Sequence, residues 1–218
     1  MYLIKTPGFL KEFFPQLLWD SPQPNPTIYL TFDDGPHPDI TLEILNLLDR
    51  YHAKGTFFCV GENIDKYPET FRTLQDRRHG IGSHTYNHLN GWATDNEDYF
   101  KNVKRAASLT GTTLFRPPYG RIKPSQVNYL QHQYRIVMWT VLSGDFDKTL
   151  TGAQCFENVR RNAGAGSIVV FHDSIKAADR VLHALPKVLD YFTEQNYTFA
   201  PLRHSIDYAT QADVPKYG

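Results

Sequence analysis

The sequence predicts an α/β fold with a parallel sheet, and three observations carry that prediction. Short apolar runs of strand type alternate with segments whose apolar residues recur at helical spacing. Clusters of Asp, His and Arg follow several of those runs, where parallel α/β folds keep their chemistry. At 218 residues the chain suits one domain with a sizeable core.

The elements follow in order. Residues 8–19 place Phe9, Leu10, Phe13, Phe14, Leu17 and Leu18 on one helical stripe, with Pro15 ending or kinking the helix. Its polar face carries few basic residues, which favours packing across one end of the domain over lying on a membrane. The Pro-rich residues 21–26 read as an extended connector, so 1–26 is an N-terminal extension. An apolar run at 27–30 enters Thr31-Phe32-Asp33-Asp34-Gly35-Pro36. A helix follows on Ile40, Ile44, Leu45, Leu47 and Leu48, then a strand at 56–60, a helix over 66–78 and a brief strand at 80–83. A helix over 95–110, a strand at 113–115, a strand at 135–141, a helix over 152–163 and a strand at 166–171 complete the alternation, before a helix over 178–194 and a last strand at 197–202. The main domain is therefore 27–202, and 203–218 is a tail without periodicity that wraps the surface.

The polar clusters carry chemistry. On an extended backbone Asp33 and Asp34 point in different directions, so one can hold a metal while the other moves protons. Gly35 and Pro36 suit a sharp exit from the strand, Gly tolerating positive φ and Pro fixing its own. His84 and His88 stand four apart, the spacing that puts two imidazoles on one face of a helical turn and within reach of one ion. Arg116, followed by Pro117, Pro118, Tyr119 and Gly120, suits a cation held beside carboxylates by a stiffened loop. Asp145 follows a strand, and His172 ends an almost wholly apolar run, an unusual place for a titratable ring.

Composition excludes some classes. Basic and acidic residues number 23 each, so no overall charge draws the chain to nucleic acid. No apolar run of about 18 residues exists for a transmembrane helix, and the N-terminus lacks the apolar stretch of a signal peptide, which predicts a cytoplasmic protein. Two distant cysteines make no disulfide framework or metal spacing. Oligomeric state is not readable.

Taken together, these stretches resemble the NodB-type polysaccharide deacetylases, carbohydrate esterase family 4, over about 27–202. The resemblance implies a distorted (β/α) barrel of about seven parallel strands and metal-dependent removal of N-acetyl groups from an acetylated carbohydrate. It implies Asp34, His84 and His88 as metal ligands and Asp33 as catalytic base, oriented by Arg116. It also implies His172 as catalytic acid with Asp145 as its partner, and Tyr119 and Pro118 in the segment whose Tyr backbone N–H helps hold the oxyanion. Leu142, Phe146 and Val170 depart from the Asp, Trp and Leu that many members carry there, changing a groove wall but no ligand or catalytic group.

One carboxylate and two imidazoles suit Zn2+, with Co2+, Ni2+, Mn2+ or Fe2+ as substitutes. The alternatives are an O-acetyl esterase, a deacylase of a small or lipid-linked substrate, and a catalytically silent carbohydrate-binding protein. A purely structural metal site is disfavoured, because such sites usually have four ligands, often with Cys. Trp92, Tyr86 and Trp139 are candidates for sugar stacking, and equally for the core.

Overall fold

The computed structural model describes residues 2–202; the tail expected at 203–218 lies outside them. The elements run α1 (Gly8–Phe13), β1 (Thr27–Asp33), α2 (Ile40–Arg50), β2 (Thr56–Cys59), α3 (Gly61–Lys66), α4 (Pro68–Asp76), β3 (Gly80–Ser83), α5 (Asn96–Thr110), β4 (Leu114–Phe115), α6 (Pro124–Leu130), β5 (Arg135–Ile136), β6 (Val141–Leu142), α7 (Gly152–Asn162), β7 (Ile168–His172), α8 (Ala178–Glu194) and β8 (Thr198–Phe199). The strands pair in the order β5-β4-β3-β2-β1-β7-β6, with β8 beside β1. Every named pairing is parallel, as the alternation of strands and helices predicts. The fold is the distorted barrel, curled and open between β5 and β6.

Strand β1 is buried along its whole length, so it lies at the centre and its apolar run has no solvent face. Register then decides where the polar residues go. Asp33 is opposite Phe58 on one side and His172 on the other. Ser83 is opposite Cys59 and Phe115, so His84 and Arg116 leave their strands side by side. The carboxyl ends of β1, β3, β4 and β7 thus form one rim.

Helices cover the outside through apolar stripes. Ile44, Leu45, Leu47 and Leu48 of α2 and Val181, Leu185, Val188 and Leu189 of α8 are buried in one core cluster. Helix α5 starts at Asp95, whose side chain accepts from the Asp98 N–H, and α7 at Thr151, in a capping box with Gln154.

Four expectations require correction. The helix expected over 66–78 is α4 alone, started by Pro68, and a further short helix, α3, precedes it, the two separated at Tyr67. Helix α6 was not foreseen, although Pro124 in its first turn and the Gln126 side chain accepting from the Lys123 N–H mark its start. The single strand expected at 135–141 is interrupted between β5 and β6, because the Val137 and Met138 carbonyls accept from the Arg116 guanidinium.

The fourth concerns the N-terminus. Helix α1 ends at Phe13 and buries none of its residues, leaving Phe9 56% and Phe13 74% exposed. The packing comes from extended backbone instead. Leu18 hydrogen-bonds both Ile136 and Met138, while Thr6 bonds the Thr140 carbonyl and Ile4 accepts from Leu142. The segment therefore lies along the seam where β5 and β6 fail to pair, and satisfies main-chain groups that an open edge would leave unpaired.

Candidate active site

The rim encloses a cleft of about 720 Å³ lined by Asp33, Asp34, His84, His88, Tyr119 and His172 among others. Most of the residues singled out from sequence converge there, and each is held by a distinct device.

Asp33 is buried and ion-paired to Arg116, whose Nη1 donates to its Oδ1 at 2.7 Å. Arg116 is itself fully buried. The same Nη1 donates to Thr31 Oγ1 at 2.7 Å, Nη2 to the Met138 carbonyl at 3.0 Å and Nε to the Val137 carbonyl at 3.3 Å. The guanidinium also lies over the Phe58 ring, 4.1 Å from its centroid. Burial lowers the guanidinium pKa, and the Asp33 carboxylate opposes that shift. So dense a donor set holds the cation in one orientation and aims the carboxylate with it.

Asp34, His84 and His88 each present one ligand atom, and these atoms all lie within 4.8 Å of one another. His88 Nε2 is 3.1 Å and His84 Nε2 3.8 Å from Asp34 Oδ1. The donor set fits a divalent metal, and the tautomer of His84 fits as well. Its Nδ1 lies 2.8 Å from the Arg116 carbonyl, which only accepts, so Nδ1 carries the hydrogen and Nε2 keeps its lone pair toward Asp34. Burial above all pushes the His84 pKa down to about 4, which keeps that lone pair available at neutral pH. Burial raises the Asp34 pKa, but the hydrogen bond with His88 and the charges of His172, His84 and His88 outweigh it and hold the carboxyl well below its usual range.

The expected helical turn for the histidine pair is not present. Residues 84–90 form a loop in which Thr85 has φ 63° and His88 φ 58°, values no right-handed turn allows. The rings converge to 5.0 Å nonetheless. Hydrogen bonds from the Gly61 and Glu62 N–H groups to the Thr85 and Tyr86 carbonyls, and from Tyr86 N–H to Asn102, fix the loop.

His172 is gripped by both oxygens of fully buried Asp145. Its Nδ1 is 2.8 Å from Oδ1, and its backbone N–H donates to Oδ2 at 2.7 Å. Burial disfavours the charged ring, but Asp145, through its charge and hydrogen bond, and the charges of Asp34 and Asp33 raise the pKa to about 10. His172 is thus cationic at neutral pH with Nδ1 occupied by Asp145.

Tyr119 lies in a short turn, Pro118–Gly120, with φ 60°, and packs edge-on against His88 with centroids 4.7 Å apart. Gly120 (φ 64°) admits the close approach of Trp139, which a Cβ would meet at 2.5 Å. Pro118 is buried and Pro117, not Pro118, lines the cleft. Of the stacking candidates, Trp139 lines the cleft. Tyr86 instead bonds Asp65 beneath the Arg105 guanidinium, and Trp92 donates to the Ile122 carbonyl.

Sequence reasoning missed Asp173. Buried beside the site, its Oδ1 accepts from the Gly35 N–H at 2.9 Å and its Oδ2 is 2.6 Å from the Thr41 hydroxyl. Burial is the main cause of a carboxyl pKa raised to about 7. The need for glycine at 35 comes from this contact, since a Cβ there would meet Asp173 Oδ2 at 1.9 Å. Positive φ belongs instead to Asp34, at 83°. A polar residue directly after His172 was the available signal.

The family model for polysaccharide deacetylases matches residues 20–137. A peptidoglycan-N-acetylglucosamine deacetylase of Bacillus cereus is 30% identical, covering 91% of this chain and 97% of that protein. A second protein of that description from the same organism is 34% identical over 72% of this chain, which spans 62% of it. The crystal structure of a peptidoglycan N-acetylglucosamine deacetylase superposes with a TM-score of 0.82 at 29% identity, covering 90% of this chain and 95% of that one. A match over more than half of the chain, on a fold shared with a solved deacetylase, shows that this chain belongs to the polysaccharide deacetylase family.

Proposed function

We propose that this enzyme removes N-acetyl groups from N-acetylglucosamine-type poly- or oligosaccharides, with Asp34, His84 and His88 holding zinc. The relatives named for that activity support the substrate class. The observation that carries the mechanism is the pair of oppositely charged anchors on either side of the ligand cluster, Arg116 on Asp33 and Asp145 on His172.

An amide resists hydrolysis because water is a weak nucleophile and an amine a poor leaving group. A divalent metal on the three ligands would supply Lewis acidity, polarising the acyl oxygen and lowering the pKa of water. Asp33, aimed by Arg116, takes the proton of the attacking water. The Tyr119 main chain, in the turn that lines the cleft, offers its N–H to the developing oxyanion. His172 then protonates the departing nitrogen, and a ring that stays charged to about pH 10 suits an amine, which leaves only when protonated.

The test is acetate release from N-acetylglucosamine oligomers by chelated protein and by protein reloaded with zinc, cobalt, nickel, manganese or iron. Release restored by metal is expected, most strongly by zinc. No release from any oligomer, with release from O-acetylated sugars, would reassign the enzyme to ester hydrolysis.

A further inference from the structure

We propose that Tyr2 is a positioning residue for the catalytic acid, acting through Phe146 and the loop that carries Asp145. The proposal rests on the assignment of His172 as acid. Its basis is a chain of contacts from the N-terminal segment into the cleft. The Tyr2 ring packs against Phe146 with centroids 4.8 Å apart, and Phe146 packs edge-on against His172 at 5.3 Å. Tyr2, Phe146 and His172 all line the catalytic cleft.

The phenol makes a second connection. Tyr2 Oη donates to Asp147 Oδ2 at 2.8 Å, while Asp147 Oδ1 accepts from the Thr149 N–H and hydroxyl. Asp147 closes a turn onto the Gly144 carbonyl, and inside that turn stands Asp145, the partner of His172. The backbone leaves Tyr2 little freedom to leave. Leu142 donates to the Ile4 carbonyl, and Lys5 bridges Val141, so the N-terminal segment is pinned to the strand that feeds this loop.

Asp145 bonds His172 at two points on one edge, the backbone N–H and Nδ1. Rotation of the ring about that edge is limited by what packs on its flank, and Phe146 is that packing. Phe146 is 36% exposed, so without Tyr2 it faces solvent on the side away from His172 and loses its fixed place. Small displacements of a proton donor are costly to rate, because proton transfer needs hydrogen-bond reach.

The experiment compares wild type, Tyr2→Phe and Tyr2→Ala, zinc-loaded, by two readouts. The first is kinetics of acetate release from an N-acetylglucosamine oligomer. Tyr2→Ala is expected to lower kcat about tenfold with KM nearly unchanged, and Tyr2→Phe, which keeps the ring, to recover most of it. The second is the nuclear Overhauser contact between Phe146 and His172 ring protons, expected in wild type and Tyr2→Phe and lost in Tyr2→Ala. Unchanged kcat and an intact contact in Tyr2→Ala would overturn the proposal. A rise in KM alone would also overturn it, making Tyr2 a substrate contact. If wild type releases no acetate, the functional assignment fails, and the ring contact alone decides whether Tyr2 positions His172.

Discussion

Asp33 and His172 face each other in register on neighbouring strands, yet they are anchored in different materials. Asp33 is held from inside the sheet by an arginine whose other bonds go to Thr31 and to the Val137 and Met138 carbonyls. His172 is held from a loop, residues 143–147, whose own supports include the Ser143 N–H on the Val170 carbonyl, the Asn158 amide on the Ser143 carbonyl, the Arg180 guanidinium on the Asp145 carbonyl and the Tyr2 contacts. Asp33 is therefore anchored within the sheet, whereas the anchor of His172, although fully buried, comes from a loop. Perturbing the first should damage the fold as well as the chemistry, and perturbing the second should damage mainly the chemistry.

The largest effect tests the ground between the two anchors. His84→Ala removes a ligand from the cluster, and both metal retention after desalting and acetate release should be lost; retained stoichiometric zinc would break the assignment. His172→Ala should lower kcat by about 10²–10⁴-fold while zinc stays bound. Arg116→Met sets sheet anchor against loop anchor most directly. It leaves the buried Asp33 carboxylate without its cation, a loss of about 3–5 kcal/mol in urea unfolding that His172→Ala should not approach. Equal destabilisation by the two would erase the distinction.

Asp145→Asn sharpens the comparison through pH. His172 is raised from 6.5 to about 10, so its charged form contributes stability that is fully present below about pH 6.5 and lost as pH rises through about 10. Asp145→Asn should flatten the stability curve across that window and move the basic limb of the rate to lower pH. A rate limb that stays put would remove His172 from the acid role. The smallest effect concerns Asp173. Its carboxyl is raised from 3.8 to about 7, so the fold favours the neutral form and loses stability as pH rises from about 3.8, with the loss complete by about 7. Asp173→Asn should gain on wild type by about 2–3 kcal/mol between pH 5 and 7 and no further above it, and a gap independent of pH across that window would contradict the sign.

The residues at the strand ends were readable from sequence because each belongs to a short local pattern: Asp33 and Asp34 after a buried run, Arg116 before two prolines, His172 closing a strand. The alternation that orders those strands was readable for the same reason, since period depends on neighbours in the chain. What failed to show depends on partners far away. The break between β5 and β6 follows from Arg116 taking two carbonyls, and nothing in residues 135–141 announces it. The N-terminal apolar stripe matched a helix locally, but main-chain demand at the seam drew its later residues into extended pairing. The His84–His88 spacing singled out two rings that do converge, but not on a helical turn, because contacts of Thr85 and Tyr86 with α3 and α5 fix a loop with left-handed φ at Thr85 and His88. Tyr2 and Asp147 stand 145 residues apart, beyond any pattern a local reading samples.

Arg116 serves two neighbours at once, its guanidinium steering Asp33 and its carbonyl steering the His84 ring. The Asp33 carboxylate and the His84 ring are therefore both placed by one residue at the end of β4. The place of His172 is set by different groups, the pairing of β7 with β1 and the two oxygens of Asp145.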